Sequence, residues 1–214
     1  MKRISINSPI RKNIVANLFG IGVNLLNQIV LVPFYIIYWG SDLYSDWIVI
    51  SALTAFFGIS DIGLNSVIQN RFSISYAQGD LKQCNSLLVN NVAIIIIIGA
   101  ICVISSIAYV SLFDITDQLD LHTLTRTEGS AVFIVLLCQI FIQMLSGIEN
   151  AIFRASHNAS IAVYYDQVTR LFIFIITFVC LVVGCNMTIM CVAICLPNIL
   201  LIAIKHINAR KHFE

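Results

Sequence analysis

"NIVANLFGIGVNLLNQIVLVP", residues 13–33, is apolar enough to sit in lipid, yet it carries four asparagines and a glutamine. Residues three and four apart share one face of an α-helix. Asn13, Asn17, Gly20, Asn24 and Asn27 follow spacings of 4, 3, 4 and 3, so the amides form a single stripe with Gln28 at its edge. The stretch therefore reads as a membrane helix with one polar face.

The rest of the chain fits that reading. Of its 214 residues, 59% are hydrophobic and 11% charged, with mean hydropathy +0.92. A soluble domain carries about a quarter charged residues. The charges are bunched, and between them lie six apolar runs, 14–37, 43–68, 87–113, 131–153, 167–185 and 187–204. Each is close to the roughly 20 residues that span a bilayer. The fold expected is all-α and integral to the membrane, a six-transmembrane-helix bundle forming one domain over 1–214. The first run is long and interrupted by polar residues, unlike a cleaved signal peptide.

Orientation follows from Lys and Arg, which cytoplasmic loops retain. Lys2, Arg3, Arg11 and Lys12 precede the first run, Arg71 and Lys82 separate the second from the third, and Lys205, Arg210 and Lys211 follow the sixth. Arg154 follows the fourth run, and Arg170 sits at the start of the fifth. "WGSDLYSD" has no basic residue, and "DITDQLDLHTLTRTEG" has only Arg126 among several carboxylates. Eleven of the twelve basic residues thus fall on the side of the N-terminus, which predicts both termini in the cytoplasm. Trp39, Trp47, Tyr38 and Tyr44 flank the first outer loop, where an aromatic belt belongs.

The polar stripe recurs. Ser51, Thr54, Gly58, Asp61 and Asn65 follow spacings of 3, 4, 3 and 4 in the second run, and Gln139, Gln143, Ser146 and Asn150 continue the pattern in the fourth, with Glu149 beside the last. "AIIIIIGA" in the third run is apolar on every face, as lipid exposure requires. The first, second and fourth runs are therefore expected to line a hydrated cavity, with the third peripheral. The alternative is that amides and small residues hold helices together by packing and hydrogen bonds. Ionisable residues inside a span point to function by default, which singles out Asp61 and then Glu149. Asp166 and Arg170, four apart, are expected to pair, and Arg154 and Arg170 to anchor at the interface. Pro33 and Pro197 each remove a backbone donor and predict kinks.

No Gly-rich phosphate loop, nucleophile arrangement or HExxH motif occurs, so neither an enzyme nor a cofactor or metal site is expected. Cys191 and Cys195 lie one turn apart without His or acidic company, a packing pattern, and Cys84 falls in a cytoplasmic loop where thiols stay reduced. With net charge +1 and no basic patch, nucleic acid is not an expected partner.

The stretch "FFGISDIGLNSVIQNRFSISYAQGDLKQCNSLL", 56–88, resembles the second helix and following loop of bacterial polysaccharide flippases, the O-antigen or lipid-linked-oligosaccharide translocases of the multidrug/oligosaccharidyl-lipid/polysaccharide exporter superfamily. The resemblance rests on Asp61-Ile62-Gly63-Leu64, on Asn70 and Arg71, and on the polar loop ending Gly79-Asp80. "NLFGIGVNLLNQIVLVPFYIIYWG", 17–40, is similar to that family's first helix, proline and aromatic exit included. It covers most of residues 10–90; beyond them only the hydropathy pattern is similar.

The resemblance implies one six-helix lobe of a MATE-like transporter in the bacterial inner membrane. A second lobe, or a homodimer partner, would complete it. It further implies flipping of an undecaprenyl-diphosphate-linked repeat unit for polysaccharide or lipopolysaccharide biosynthesis. Asn24, Asn27, Gln28, Asp61, Asn65, Gln143 and Glu149 are the candidates along the substrate path. Arg71, Arg154 and Arg170 are the residues available to meet the diphosphate. The alternatives are a drug or cation antiporter of the same superfamily, with Asp61 as its proton or sodium site, and a non-transporting membrane scaffold or remnant.

Topology is directly testable. Reporter fusions at His122 should read as periplasmic and fusions at the C-terminus as cytoplasmic; a periplasmic C-terminus would mean that the fifth and sixth runs are miscounted.

Overall fold

In the computed structural model, residues 9–156 and 158–213 are described; the side chains at 9–13, 59–62, 64 and 210–213, those of Asn13 and Asp61 among them, lie outside the described residues. The elements are α1 (Pro9–Leu26), a π turn (Asn27–Leu31), α2 (Val32–Ala77), α3 (Leu81–Leu112), α4 (Ile115–Gln118), α5 (Arg126–Ser146), α6 (Glu149–Ala155), α7 (Ala159–Val183) and α8 (Met187–Phe213). The described residues form an all-α protein. Among the described residues five segments are long and apolar enough to cross a membrane: 14–58, 81–112, 126–155, 159–183 and 187–209. The all-α fold thus carries the long apolar helices that the hydropathy predicts.

The first and second apolar runs, divided in the sequence reading, belong to one helical segment. Pro33 removes the donor that the carbonyl four residues earlier would use. The π turn at 27–31 sits over that gap, and a wide turn of this kind is a recognised way to absorb a broken ladder. At Gly40 the helical path is interrupted, with φ 80° and ψ 170°, a backbone conformation that only glycine adopts without strain. There the chain doubles back. The ring of Tyr35 stacks on Tyr44 at 5.3 Å and lies 6.2 Å from Trp47. An unbroken helix would hold residues 35 and 47 about 18 Å apart. No connecting loop is needed, because one glycine makes the reversal.

The helices also extend past the apolar runs, since the polar turns at their ends hydrogen-bond well. α2 continues to Ala77, so Arg71 stands on helix rather than loop. Asp80 caps α3 by accepting from Gln83 N at 2.9 Å, which draws Cys84 into the helix. The expectation of a loop cysteine is therefore corrected: Cys84 is fully buried beside Phe72, Phe153 and Ala209. Thr125 and Glu128 form a reciprocal capping box that starts α5. α7 begins at Ala159 instead of near 167, and α8 runs on past 204.

Two clusters mark the ends of the bundle. At one end Trp39, Leu43 and Trp47 pack with Leu119, Leu121, Leu124 and Met187. The buried carboxylate of Asp46 ties that end together, accepting from His122 N at 3.1 Å and Thr123 N at 2.9 Å. Hydrogen bonds from Thr116, with Arg126 nearby, hold the half-buried Asp114 carboxyl below the usual carboxylate range. At the other end Phe72, Cys84, Phe153, Ala162 and Ala209 form the core. α3 packs chiefly on α2 and α5, with Ile94, Ile96, Ile97, Ile101 and Ile104 exposed, so its outer face suits lipid.

The fourth run is not a continuous helix. α5 stops at Ser146, and Gly147 and Ile148 form a turn before α6. This break frees carbonyls, and neighbouring side chains meet them. Asn65 Nδ2 donates to Met144 O at 3.0 Å, and Gln69 Nε2 donates to Gly147 O at 3.3 Å. Asn91 Nδ2 in turn donates to Asn65 Oδ1 at 3.0 Å. A Cβ on Gly147 would lie 2.4 Å from Asn65 Nδ2, which is closer than any side chain tolerates.

Gly147→Ala should therefore push the Asn65 amide off Met144 O and destabilise the protein by about 1–3 kcal/mol, the cost of a lost buried hydrogen bond. Thermal unfolding in detergent measures it. In an Asn65→Ala background the glycine substitution should cost much less, because the clash is gone.

Candidate functional site

Two adjoining cavities open among α2, α5, α7 and α8. The larger, of about 620 Å³, is lined by Trp47, Ser51, Thr54 and Gly58 of α2 and by Gln139 and Gln143 of α5, with Ile173 and Ile194 closing it. The smaller, of about 270 Å³, is lined by Gln143, Ser146 and Asn150, by Asp166, Thr169 and Arg170 of α7, and by Asn198 of α8. Gln143 and Ile173 line both, so the two spaces adjoin.

The stripes of the second and fourth runs account for much of this lining. Ser51, Thr54 and Gly58 face the larger cavity, and Gln139, Gln143, Ser146 and Asn150 run along both. Asn65, lower on the same stripe, is buried and serves the break at Gly147 instead. The side chain of Asp61 lies outside the described residues.

Among the described residues, the stripe of the first run lines neither cavity. Gly20 lets α1 close directly on Gln167 of α7, so α1 packs behind α7. Asn24 Oδ1 accepts from Arg170 Nη1 at 3.2 Å, Asn27 Nδ2 bonds back to Val23 O at 2.9 Å, and Gln28 is exposed. The wall expected of the first run is supplied by α7.

The charged residues are arranged differently from their sequence spacing. Asp166 pairs with Lys205, not with Arg170: Lys205 Nζ lies 2.8 Å from Asp166 Oδ1 and also donates to Ser146 O at 3.0 Å and Ser146 Oγ at 3.2 Å. The lysine is only 1% exposed, so it is no tail residue in water. The reason is the length of α8, which carries Lys205 back against the broken helix. Four-residue spacing on one helix competes here with a carbonyl and carboxylate on two others, and the buried ammonium needs both.

Arg170 is left free to face the smaller cavity and Asn24. Because α7 starts at Ala159, Arg170 stands near the middle of that helix rather than at its start. Arg71 and Arg154 are exposed and line neither cavity.

Glu149 is buried, with Oε1 3.2 Å from His206 Nδ1, while its Oε2 has no hydrogen-bond partner. Gln139 Oε1, Asn150 Oδ1 and Gln167 Oε1 are further buried acceptors without a donor. Among the described residues no group of three His, Cys, Asp or Glu is arranged to hold a metal ion. No protein-family description, curated protein or solved structure matches the chain.

Sequence reasoning missed Gln69, Asn91 and Lys205. Gln69 continues the second stripe four residues beyond Asn65 and was lost by ending that run at 68. Asn91, Ile95 and Gly99 share a face of the isoleucine-rich helix, a narrow buried seam hidden by its uniform hydropathy. Lys205 had no local signal.

Removing one member of the Lys205–Asp166 pair should be costly. Lys205→Met is expected to lower stability by about 3 kcal/mol, because Asp166 and the Ser146 carbonyl lose their partner together. Lys205→Met with Asp166→Asn should recover part of that loss in the same detergent-unfolding assay. A separate measurement distinguishes water from lipid. Cysteines at Gln143 and Ile97 are both geometrically exposed; only the former should react with a membrane-impermeant thiol reagent, in a background lacking the native cysteines.

Proposed function

We propose that this chain is a six-span lobe of a lipid-linked polysaccharide flippase. In this reading the sugar headgroup of an undecaprenyl-diphosphate-linked repeat unit moves through the two adjoining cavities while its lipid tail stays in the bilayer. The six crossings count the segment before Gly40 and the segment after it separately, with both termini cytoplasmic in the inner membrane. The reading is supported by the resemblance over residues 10–90 and by the cavity-lining stripes of amides and hydroxyls.

One observation carries it: Arg170, a permanent cation near the middle of α7, faces the smaller cavity and hydrogen-bonds the neutral amide of Asn24. A charge within a membrane-spanning helix is expensive unless it has work to do. A guanidinium presents a fork of donors that matches phosphate oxygens. The neighbouring amides can donate to and accept from sugar hydroxyls. Asp166 does not cancel Arg170, since Lys205 engages it. No covalent step is involved.

The test is binding followed by transport. A short, water-soluble prenyl diphosphate should bind the purified chain, and Arg170→Gln should weaken it by about ten-fold or more, the loss of one charge-assisted contact. Co-expressed with a matching second lobe in a flippase-deleted cell, the chain should restore export, and the same variant should abolish it. Absence of diphosphate binding, with proton- or sodium-driven drug efflux instead, would replace this reading by the antiporter.

A further inference from the structure

The end of α7 brings two thiols together. Gly184 follows the last helical residue, Val183, and adopts the left-handed conformation, φ 76° and ψ 34°. Gly184 N donates to Leu181 O at 3.1 Å and Cys185 N to Cys180 O at 2.9 Å. These two bonds make a Schellman cap, in which the side chain just past the glycine packs back on the one five residues earlier. Here both of those residues are cysteines. Cys180 is buried in the cluster of Leu31, Tyr35, Leu181 and Met190, and Cys185 packs against the same cluster. The two thiols contact one another, and both are free.

Cys191 and Cys195 are the contrasting case. They lie one turn apart on α8, where Cβ atoms stand about 5–6 Å from each other. A disulfide needs Cβ atoms about 3.5–4.5 Å apart, so a straight helical turn does not close one. Cys195 Sγ donates instead to Cys191 O at 3.3 Å. The reversal at Gly184 is what turns Cys185 back toward Cys180. Cys185 is also half-buried rather than buried, and it lies between the spans 159–183 and 187–209. It sits at the end of the bundle that holds Tyr35, Trp39 and Tyr44. With both termini cytoplasmic, that end is outside, where thiols are oxidised.

We propose, resting on the orientation given under the proposed function, that Cys180 and Cys185 are a disulfide-forming pair at the outer end of α7, oxidised by exchange with a disulfide of the extracytoplasmic space. Cys185, the accessible member, loses its proton and attacks one sulfur of the oxidant. The oxidant's S–S bond breaks, one of its sulfurs leaves as a thiol, and a mixed disulfide stands on Cys185. Cys180 then loses its proton and attacks Cys185 Sγ. The mixed bond breaks and the oxidant's second sulfur leaves as a thiol. Two thiols of the chain are oxidised to one disulfide, and one disulfide of the oxidant is reduced to two thiols. The finished bond fastens the turn between the helices that carry Arg170 and Asn198 to the smaller cavity.

The test uses the purified full chain in detergent, with glutathione disulfide as the oxidant. After alkylation with N-ethylmaleimide, cyanogen bromide cleaves behind Met144 and Met187, and the fragment 145–187 contains Cys180 and Cys185 and no other cysteine. Mass spectrometry should find that fragment lighter by two hydrogens and free of maleimide. Cys180→Ser should stall as a glutathione adduct on Cys185, because the resolving thiol is missing, and Cys185→Ser should stay unoxidised. A wild-type fragment that keeps two alkylatable thiols, or that stalls as the adduct, overturns the pair. In cells lysed directly into maleimide the fragment should already be closed. A reduced fragment beside a periplasmic His122 fusion overturns the disulfide in the cell. A reduced fragment beside a cytoplasmic His122 fusion overturns the orientation instead, and leaves the pairing measured in detergent standing.

Discussion

The broken helix between α5 and α6 is the constraint on which the rest of the arrangement depends. In an apolar bundle there is no water to satisfy carbonyls that lose their helical donors. Three carbonyls at the break are met by side chains from two helices: Asn65 reaches Met144 O and Gln69 reaches Gly147 O from α2, and Lys205 reaches Ser146 O from α8. Gly147 has no side chain to block the first of these. The break therefore pins α2 and α8 to the fourth run, and through Asn91 it pins α3 as well.

That pinning sets the electrostatics of the cavity. Lys205 is drawn to Ser146 and takes Asp166 as its counter-charge, so Asp166 does not pair with Arg170. Had Asp166 bonded Arg170 alone, as their spacing on one helix favours, the buried ammonium would have lacked its counter-charge. A structural requirement at one helix end thus helps to set the charges along the smaller cavity. The second device is the reversal at Gly40, where stacked Tyr35, Tyr44 and Trp47 close the other end and deliver Trp47 to the larger cavity.

The polar stripes have proved to be of two kinds. Gln139, Gln143, Ser146 and Asn150 lie along open space, as do Ser51 and Thr54. Asn65 and Asn24 are engaged with neighbouring helices, the packing use of the same residue types. Spacing alone cannot separate these uses, because a helix face that meets a cavity and one that meets another helix have the same periodicity. The partner decides, and the partner is remote in the chain.

By itself the sequence determined the helical, membrane-spanning class, the polar faces of the second and fourth runs and the lipid-facing character of α3. Each of these follows from local composition and a period of 3.6 residues, which every copy of the chain carries whatever it packs against. Only the tertiary structure decided that α7 rather than α1 walls the cavity and that Cys84 and Lys205 are buried. It also decided that Asp166 belongs to Lys205 and that one glycine reverses the first helix. These outcomes turn on distances between helices far apart in sequence: the close approach at Gly20, the carbonyls freed at Gly147, and the length of α8. An unsatisfied carbonyl or an unpaired ammonium in an apolar bundle selects its partner by reach, and reach exists only once the helices are packed.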